Sequence, residues 1–327
     1  MKSGKAQSGF LPISKGVPQG SILGPILFTL YINNIALSLN NCKAHFYADD
    51  TIIYCIANSI QLATENLQLS FNVLQDSLRE LKLVLNADKT KFMIFSRANE
   101  IDFSSLRITT LNGGNIDRVS EYKYLGIWLD DKFTFKYHID NLACKLRQKI
   151  GFFYRNRASF PMACRKRVIE AVFLSVLDYG DVIYGKAAPS VLKPLDAVYH
   201  SALRFITGEH YRTHHCTLYE RVGWPSLIDR RNKHWYLFIF KAIDGTLPLY
   251  LKSLLEWNDI TYNTRSSDWL TLKIPRVNTE LGKIAFCYNA PTTWNELQLN
   301  FKICSPITYD NFKYLVSQLP TNVCSCF

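Results

Sequence analysis

The sequence predicts an α+β fold in which an antiparallel sheet is covered by helices on one face. Three patterns indicate this class. Aromatic and β-branched residues flank an acidic pair in residues 45–54, apolar residues recur at helical spacing in residues 67–81, and residues 112–114 read Asn-Gly-Gly, a hairpin turn. Up to about residue 130 the predicted order is helix, hairpin, helix, strand, hairpin, which is typical of such a layered fold.

The individual elements follow from local signals. Pro and Gly mark residues 16–21 as a turn, and a helix is expected from Pro25, which suits a first helical turn. The apolar stripe predicts a second helix over about 60–83. Strands are expected over residues 91–95 and from Tyr122 to Trp128.

Composition limits the class of protein. The 327 residues are 48% hydrophobic and carry a net charge of +11, enough for roughly two domains of about 150 residues each. The positive charge favours an anionic partner such as nucleic acid, although a solvated basic surface would give the same total. No apolar run reaches the about 18 residues of a membrane span, and no signal core follows the N-terminus, so we expect an intracellular protein, nuclear or cytoplasmic, with no membrane partner.

The nine cysteines do not predict a disulfide framework, because their number is odd and their spacing irregular. Cys324 and Cys326 lie at the end of the chain, and His214-His215-Cys216 lies far upstream. Neither has the usual spacing of a zinc site, so no zinc is expected.

The acidic pair Asp49-Asp50 suggests chemistry. Two like charges held side by side are unfavourable unless water or a cation neutralises them, and Mg²⁺ prefers oxygen ligands of this kind. An ordinary acidic turn remains the alternative. The upstream glycine loop also has two interpretations. It either caps a helix, or lets the backbone approach a ligand that Gln19 positions.

Four segments in fixed order carry a family resemblance: Gly16-Val17-Pro18-Gln19-Gly20-Ser21, Tyr47-Ala48-Asp49-Asp50, Leu85-Asn86-Ala87-Asp88-Lys89-Thr90 and Tyr124-Leu125-Gly126. The chain resembles the reverse transcriptase of a non-long-terminal-repeat retrotransposon of the jockey-like kind. Three later segments also resemble such elements: residues 177–184, 200–208 and 290–295. The resemblance therefore covers nearly the whole chain.

The resemblance implies part of a right-hand polymerase palm over residues 1–131. Asp49 and Asp50 match the paired aspartates that bind two Mg²⁺ (or Mn²⁺) ions, and Lys89 matches a lysine that protonates the leaving pyrophosphate. The implied ligands are an RNA template, a DNA primer and deoxynucleoside triphosphates. Residues expected to bind the nucleotide and template are Gln19, Gly20, Ser21, Tyr47 and Ala48; Leu125 and Gly126 correspond to the primer grip.

One departure from the family concerns catalysis. Such polymerases carry a further catalytic aspartate upstream of the glycine loop, whereas residues 1–48 contain no Asp and no Glu. Asp88 and the pair Asp130-Asp131 are the candidates for a third carboxylate, and they are expected to point to solvent, because Asp88 suits a turn and Asp130-Asp131 suit a strand end. The fingers and the endonuclease usual in full elements are also not recognised. Losing one transition-state-stabilising group typically costs about 10²–10³ in rate, so we expect the metal ions to be poorly held and the chain to be weakly active or inactive alone.

A basic helical region is predicted after the palm, with a thumb-like domain over 132–250 and a C-terminal region of unknown role over 251–327. Ten Lys or Arg and one acid lie between residues 132 and 167. These cations are either solvated or contact nucleic-acid phosphates. Residues expected to contact the backbone are Lys145, Arg147, Lys149, Arg155, Arg157, Arg165, Lys166 and Arg167. In the C-terminal region, Pro275, Pro291 and Pro306 are expected to interrupt any long helix.

Whether the chain is an enzyme stays open at this point. It is a polymerase segment that is inactive alone, a nucleic-acid-binding module without catalysis, or an incomplete gene model of an active polymerase. Genomic sequence upstream of Met1 would test the third alternative, since it would encode the absent aspartate.

Overall fold

A computed structural model describes residues 2–3, 6–7, 16–17, 20–39, 42–96, 106–258 and 269–320. The chain forms two compact units: residues 1–123 with 130–132, and residues 124–129 with 133–327. Helices and small sheets occur together, so the predicted α+β class is confirmed. The predicted palm limit at residue 131 lies close to residue 133, from which the chain continues in the second unit. The predicted limit at residue 250 stays a prediction.

The first unit contains short strands and two helices. Its elements are β1 Lys2–Ser3, β2 Ala6–Gln7, α1 Gly24–Ile32, β3 Lys43–Tyr47, β4 Asp50–Tyr54, α2 Ile60–Glu80, β5 Lys91–Phe92, β6 Ile108–Thr109 and β7 Asn115–Arg118. A 3₁₀ helix, Asn33–Ser38, follows α1. Pro25 lies in the first turn of α1, and Ser59 caps α2 by accepting a hydrogen bond from the Leu62 amide at 3.2 Å, so both helices begin where sequence rules place them.

The sheet of the first unit is less continuous than predicted. β3 pairs with β4 as an antiparallel hairpin, and β6 pairs with β7 antiparallel around the predicted turn at residues 112–114. β5 pairs with β7 in parallel and ends at Phe92, where a strand to residue 95 was expected. These pieces share one core. Its buried members are Ile32, Ile35, Leu39, Phe71, Leu74, Phe92, Ile108 and Ile116.

A turn divides residues 122–128, which were expected to form one strand. The segment contains β8 Glu121–Tyr124 and the start of β9 Ile127–Asp130. Between them Leu125 has φ of 44° and Gly126 has φ of 88°. A strand cannot continue through left-handed backbone, so the chain reverses here.

The second unit is helical. Its helices are α3 Lys136–Arg155, α4 Met162–Ile169, α5 Ser175–Leu177, α6 Asp181–Tyr184, α7 Pro189–Thr207, α8 His215–Val222, α9 Leu227–Asp244, α10 Leu249–Lys252, α11 Glu280–Ile284, α12 Phe286–Phe301 and α13 Tyr309–Ser317. A 3₁₀ turn, Arg157–Ser159, precedes α4, and a π-helical stretch, Glu170–Leu174, follows it. One core joins α3, α4 and α7; a second joins α9, α12 and α13.

The expectation that Pro291 interrupts any long helix is wrong. Pro291 lies inside α12, which runs for 16 residues. A proline in a helix removes one hydrogen bond, but Ala290, Trp294 and Leu297 of the same helix are buried in the second core. Burial of this apolar face therefore outweighs the local preference.

Two general findings concern the described residues. The seven cysteines among them are free thiols: Cys42, Cys55, Cys144, Cys164, Cys216, Cys287 and Cys304. No helix in this part of the chain combines the length and the apolarity that crossing a bilayer requires.

We predict that Phe312→Ala lowers the free energy of unfolding of the second unit by about 3–5 kcal/mol. The Phe312 ring is fully buried and stacks on Phe240 at 4.5 Å between ring centroids. Urea unfolding followed by tryptophan fluorescence measures the change, because all six tryptophans belong to this unit. Tyr314→Ala, on the same helix but 65% exposed, is the matched control and should cost far less. Equal losses would contradict this core.

Candidate active site and nucleic-acid interface

The acidic pair lies at the tip of a tight hairpin, as predicted. Tyr47 of β3 pairs with Asp50 of β4, which leaves Ala48 and Asp49 as a two-residue turn. Ala48 has φ of 52°, a left-handed conformation that favours glycine. Such a turn matches the twist of the two strands, so the strain at Ala48 lets the hairpin close directly beneath the carboxylates.

The hairpin has one face on the core and one in water. Ala44, Phe46 and Ile53 pack against the core of the first unit. On the other face the His45 ring stacks on Tyr54, with 5.5 Å between ring centroids, and His45 Nε2 lies 3.3 Å from the Tyr54 hydroxyl. The packed face therefore fixes the strands, and the turn that carries the acids is held on a rigid base.

Both carboxylates of the pair are exposed. Their oxygens are ligands of the type that hard divalent cations prefer, so the donor set fits Mg²⁺ or Mn²⁺. Within the described part of the chain, three possible metal ligands converge at Asp178, Asp181 and His234, and at His214, His215 and Cys216. Neither group includes Asp49 or Asp50. The hairpin thus presents two exposed carboxylates side by side, and their role as metal ligands stays a prediction.

The acids considered as possible third ligands differ in environment. Asp88 is exposed, as expected. Asp130 was expected to face solvent, and this is wrong: it is 9% exposed, and its Oδ1 accepts a hydrogen bond from the Lys132 amide at 3.2 Å. A carboxylate that follows a strand caps the next free amide, which explains its burial.

The glycine loop is described in part. Pro18 and Gln19, and with them the predicted role of Gln19, lie outside the described residues. Gly20 is exposed with φ of 87°, and the Ser21 carbonyl accepts a hydrogen bond from the Gly24 amide at 3.3 Å. The loop therefore leads directly into α1 through a left-handed glycine, where a side chain would strain the backbone.

Lys89 lies in a well-bonded turn between α2 and β5. Its amide donates to Asn86 Oδ1 at 3.1 Å, and its carbonyl accepts a hydrogen bond from the Tyr122 hydroxyl at 3.3 Å. The backbone is therefore fixed on both sides while the side chain is exposed. The distance of Lys89 from the acidic pair and its catalytic role remain predictions.

Leu125 and Gly126 form the left-handed turn between β8 and β9, and Tyr179 contacts this turn. The Tyr179 hydroxyl donates to the Leu125 carbonyl at 2.7 Å. A Cβ at Gly126 would come within 3.0 Å of the Tyr179 ring, so the ring lies directly against the glycine. Sequence reasoning quoted residues 177–184 but gave Tyr179 no role.

Tyr179 lies between two acids that pair with α9. Asp178 accepts two hydrogen bonds from Arg230, at 2.8 and 2.5 Å, and the Asp181 carboxylate lies 2.5 Å from His234 Nδ1. These pairs were also not predicted. The sequence carried one signal for these pairs, namely two acids three residues apart in an otherwise apolar stretch. Acids in such a stretch indicate partners, because buried acids require charged or hydrogen-bonding groups beside them.

The predicted phosphate-binding residues fall into different environments. Lys145, Lys149 and Phe152 of α3 follow one another at four- and three-residue spacing and share one face of the helix. They line an open groove together with Gln148, Phe153 and Val172. Phe152 is 50% exposed. Arg147, Arg155, Arg157 and Arg167 are also exposed.

The predicted phosphate contact of Arg165 is wrong. Arg165 is 8% exposed, and its guanidinium donates to the carbonyls of Phe160, Phe205 and Arg157. A buried guanidinium that satisfies backbone acceptors inside the unit cannot contact a phosphate outside. Lys166 is exposed although its Nζ donates to the Val222 carbonyl at 2.8 Å, so its phosphate contact stays a prediction. Charge alone could not separate Arg165 from its exposed neighbours.

Comparison with known proteins agrees with this geometry. Residues 2–129 match the family described as reverse transcriptase (RNA-dependent DNA polymerase). The chain is 31% identical over 212 residues to the RNA-directed DNA polymerase from mobile element jockey of Drosophila melanogaster, covering 62% of this chain and 23% of that protein. It is 25% identical over 234 residues to the probable RNA-directed DNA polymerase from transposon X-element of the same species, covering 68% and 25%.

Another relative is a retrovirus-related Pol polyprotein from type-1 retrotransposable element R1 of Nasonia vitripennis, 27% identical over 140 residues, covering 42% of each chain. The chain therefore spans about a quarter of the length of the first two relatives. No solved structure matches it. The predicted resemblance to jockey-like reverse transcriptases is confirmed.

We predict that Ala48→Gly stabilises the hairpin by roughly 0.5–1 kcal/mol. Left-handed backbone costs an alanine about 1–2 kcal/mol, and the greater freedom of unfolded glycine offsets about 0.4–1 kcal/mol of this relief. Hydrogen exchange of residues 43–54 should slow by a few fold. Ala63→Gly, inside α2, is the control and should destabilise by about 1 kcal/mol. Faster exchange at residues 43–54 in Ala48→Gly would contradict the strained turn.

Proposed function

Because this chain is related to the jockey-like reverse transcriptases, we propose that it contributes the metal-binding part of the palm and the thumb of an RNA-directed DNA polymerase. The observation that carries the proposal is the exposed pair Asp49-Asp50 at the tip of a hairpin packed on a core. The substrates are an RNA template, a DNA primer and deoxynucleoside triphosphates. The reaction takes place inside the cell, in the nucleus or cytoplasm, where these substrates occur.

In this proposal Asp49 and Asp50 hold two divalent cations, Mg²⁺ or Mn²⁺. Such ions stabilise the attacking 3′-oxygen and the leaving oxygen of the nucleotide triphosphate when they are bound. The chain contributes by fixing the two carboxylates at a two-residue turn whose flanking strands are packed on the core, which holds Ala48 in its left-handed conformation. Tyr47, 65% exposed on the hairpin, offers an aromatic face to the nucleotide or primer.

Two other loops of the first unit bind or act on the nucleotide. Gly20 and Ser21, with Gln19, position the incoming nucleotide, and the lack of a side chain at Gly20 permits close approach of a ligand to the backbone. Lys89 donates a proton to the pyrophosphate as it leaves. The hydrogen bonds from Asn86 and Tyr122 support this role because they fix the backbone that carries the ammonium group.

The cations along the groove of α3 hold the primer–template duplex. Lys145 and Lys149 contact phosphates, and Phe152, three residues after Lys149, packs against sugars or bases along the groove. This grip is independent of sequence. Leu125 and Gly126 hold the primer end.

A second function, nucleic-acid binding without catalysis, is favoured by one observation. The groove of α3 is lined by Lys145, Lys149 and Phe152, which can contact phosphates and bases without any metal ion. The two functions make different predictions for primer extension and the same prediction for binding.

We predict that the 327-residue polypeptide alone, given an RNA template, an annealed DNA primer, deoxynucleotides and Mg²⁺ or Mn²⁺, extends the primer slowly, and that Asp49→Asn reduces extension by a further factor of about 10² or more. Steady-state extension assays on a denaturing gel measure both rates. Asp88→Asn removes an exposed acid that has no proposed role, so it is the matched control and should leave the rate unchanged.

The outcomes of this assay separate the two functions. Rapid extension that Asp49→Asn abolishes would show that a further carboxylate completes the site. Extension that persists in Asp49→Asn would refute the role of the hairpin. Complete absence of extension together with tight duplex binding would favour the binding module.

We predict that the affinity for an RNA–DNA hybrid falls with salt, with a log–log slope of about −5 from the six exposed cations, at about 0.9 per phosphate contact. Lys145→Glu with Lys149→Glu should flatten the slope by about 2 or more. Fluorescence anisotropy across a KCl series measures it.

The matched control for charge reversal is Lys193→Glu with Lys313→Glu. Both lysines are exposed, on α7 and α13, and the change in net charge is the same. An equal loss in both double variants would mean that only net charge matters, and the groove would then have no specific role. Arg165→Glu should instead unfold the second unit, because a carboxylate cannot satisfy three carbonyls.

A further inference from the structure

The turn at Leu125-Gly126 is not held by its own strands alone. Both of its residues have left-handed backbone, which costs Leu125 in particular, since a branched side chain disfavours φ of 44°. Strained backbone of this kind persists only where surrounding contacts over-determine it. The contacts that support this turn are therefore needed to keep its conformation.

Tyr179 and Gly180 lock onto this turn through reciprocal contacts. The Tyr179 ring covers Gly126 and its hydroxyl donates to the Leu125 carbonyl at 2.7 Å. In return the Ile127 side chain covers Gly180, where an added Cβ would clash with it. Each loop thus has a glycine where the other loop has a large side chain. A substitution at either glycine would push the two loops apart.

The segment that carries Tyr179 is itself anchored to α9. Asp178 forms a two-pronged ion pair with Arg230, and Asp181 pairs with His234 one helical turn later. In addition the Tyr184 hydroxyl donates to the Leu177 carbonyl at 2.5 Å. Four hydrogen bonds, formed by Arg230, His234 and Tyr184, therefore hold the segment on both sides of Tyr179, although the Tyr179 side chain is itself 56% exposed.

We propose that Tyr179 is a positioning residue for the primer end: its hydroxyl and ring hold the Leu125-Gly126 turn in the one conformation that grips the primer 3′ terminus. This inference rests on the proposed function, because it takes the turn to be the primer grip. Tyr179 acts through Leu125 and Gly126 and does not contact the reacting atoms. Its exposed ring edge lies next to the turn, so the support is built into the surface that meets the primer.

The test compares Tyr179→Phe with wild type in the full chain. The variant keeps the ring and removes only the hydrogen bond; because the side chain is exposed, the variant should fold. Hydrogen exchange of residues 124–129 should accelerate about fivefold, as expected for loss of one hydrogen bond. The affinity ratio between a hybrid with a recessed primer 3′ end and a blunt hybrid of the same length should fall toward one.

Tyr154→Phe is the matched control. The Tyr154 hydroxyl also donates to a backbone carbonyl in the second unit, that of Ser201 at 3.1 Å, and its side chain is likewise exposed. This variant should change neither the exchange of residues 124–129 nor the preference for a recessed end. A loss of recessed-end preference in Tyr154→Phe equal to that in Tyr179→Phe would refute a specific role of Tyr179.

The remaining outcomes are distinguishable from failure of the proposed function. Unchanged exchange in Tyr179→Phe would refute the support of the turn by Tyr179. Faster exchange with an undiminished preference for the recessed end would refute the positioning role. If wild type shows no preference for a recessed end, the primer grip itself is refuted and the positioning role with it. Hydrogen exchange still reports whether Tyr179 supports the turn.

Discussion

Repulsion between two adjacent carboxylates is the constraint on which the first unit depends. Asp49 and Asp50 are tolerable only in water or beside a cation, so the chain must present them at its surface and still hold them in one place. A two-residue turn meets both demands. The strands below it are anchored by Ala44, Phe46 and Ile53, so the acids are exposed and their backbone is fixed. The strain at Ala48 is the local cost of this arrangement.

The second unit solves the opposite problem, that of burying charges. Arg165 is buried, and an unpaired cation in the protein interior would be very unfavourable. Three backbone carbonyls and the face of the Phe205 ring replace the water that would otherwise solvate its guanidinium. Asp178 and Asp181 are matched by Arg230 and His234 on α9. Removing one partner of such a pair leaves a charge in the interior, which costs more than the pair contributes. These residues therefore define the unit's architecture more than its affinity for nucleic acid.

Sequence patterns predicted what local chemistry determines. The hairpin with its acids, the start of α1 at Pro25, the length of α2 and the turn at residues 112–114 are all present, because each depends on residues close in the chain. The errors depend on contacts that are distant in sequence. Pro291 continues a helix because its neighbours are buried. Arg165 is buried because Phe205, 40 residues away, provides both a carbonyl and a ring face for its guanidinium.

The same distinction explains why the segment around Tyr179 was recognised but not understood. Its resemblance to known elements was evident, yet its partners lie more than 50 residues away on either side: Leu125 is 54 residues upstream and Arg230 is 52 residues beyond Asp178. A tyrosine next to a glycine suggests a turn in sequence and nothing more. Only the fold shows that this glycine is needed because Ile127 occupies the space of its side chain. Each of these two loops requires a glycine opposite a large side chain of the other loop, so the two can change only together. Packing, and not any single motif, therefore fixes the spacing between α9 and the turn.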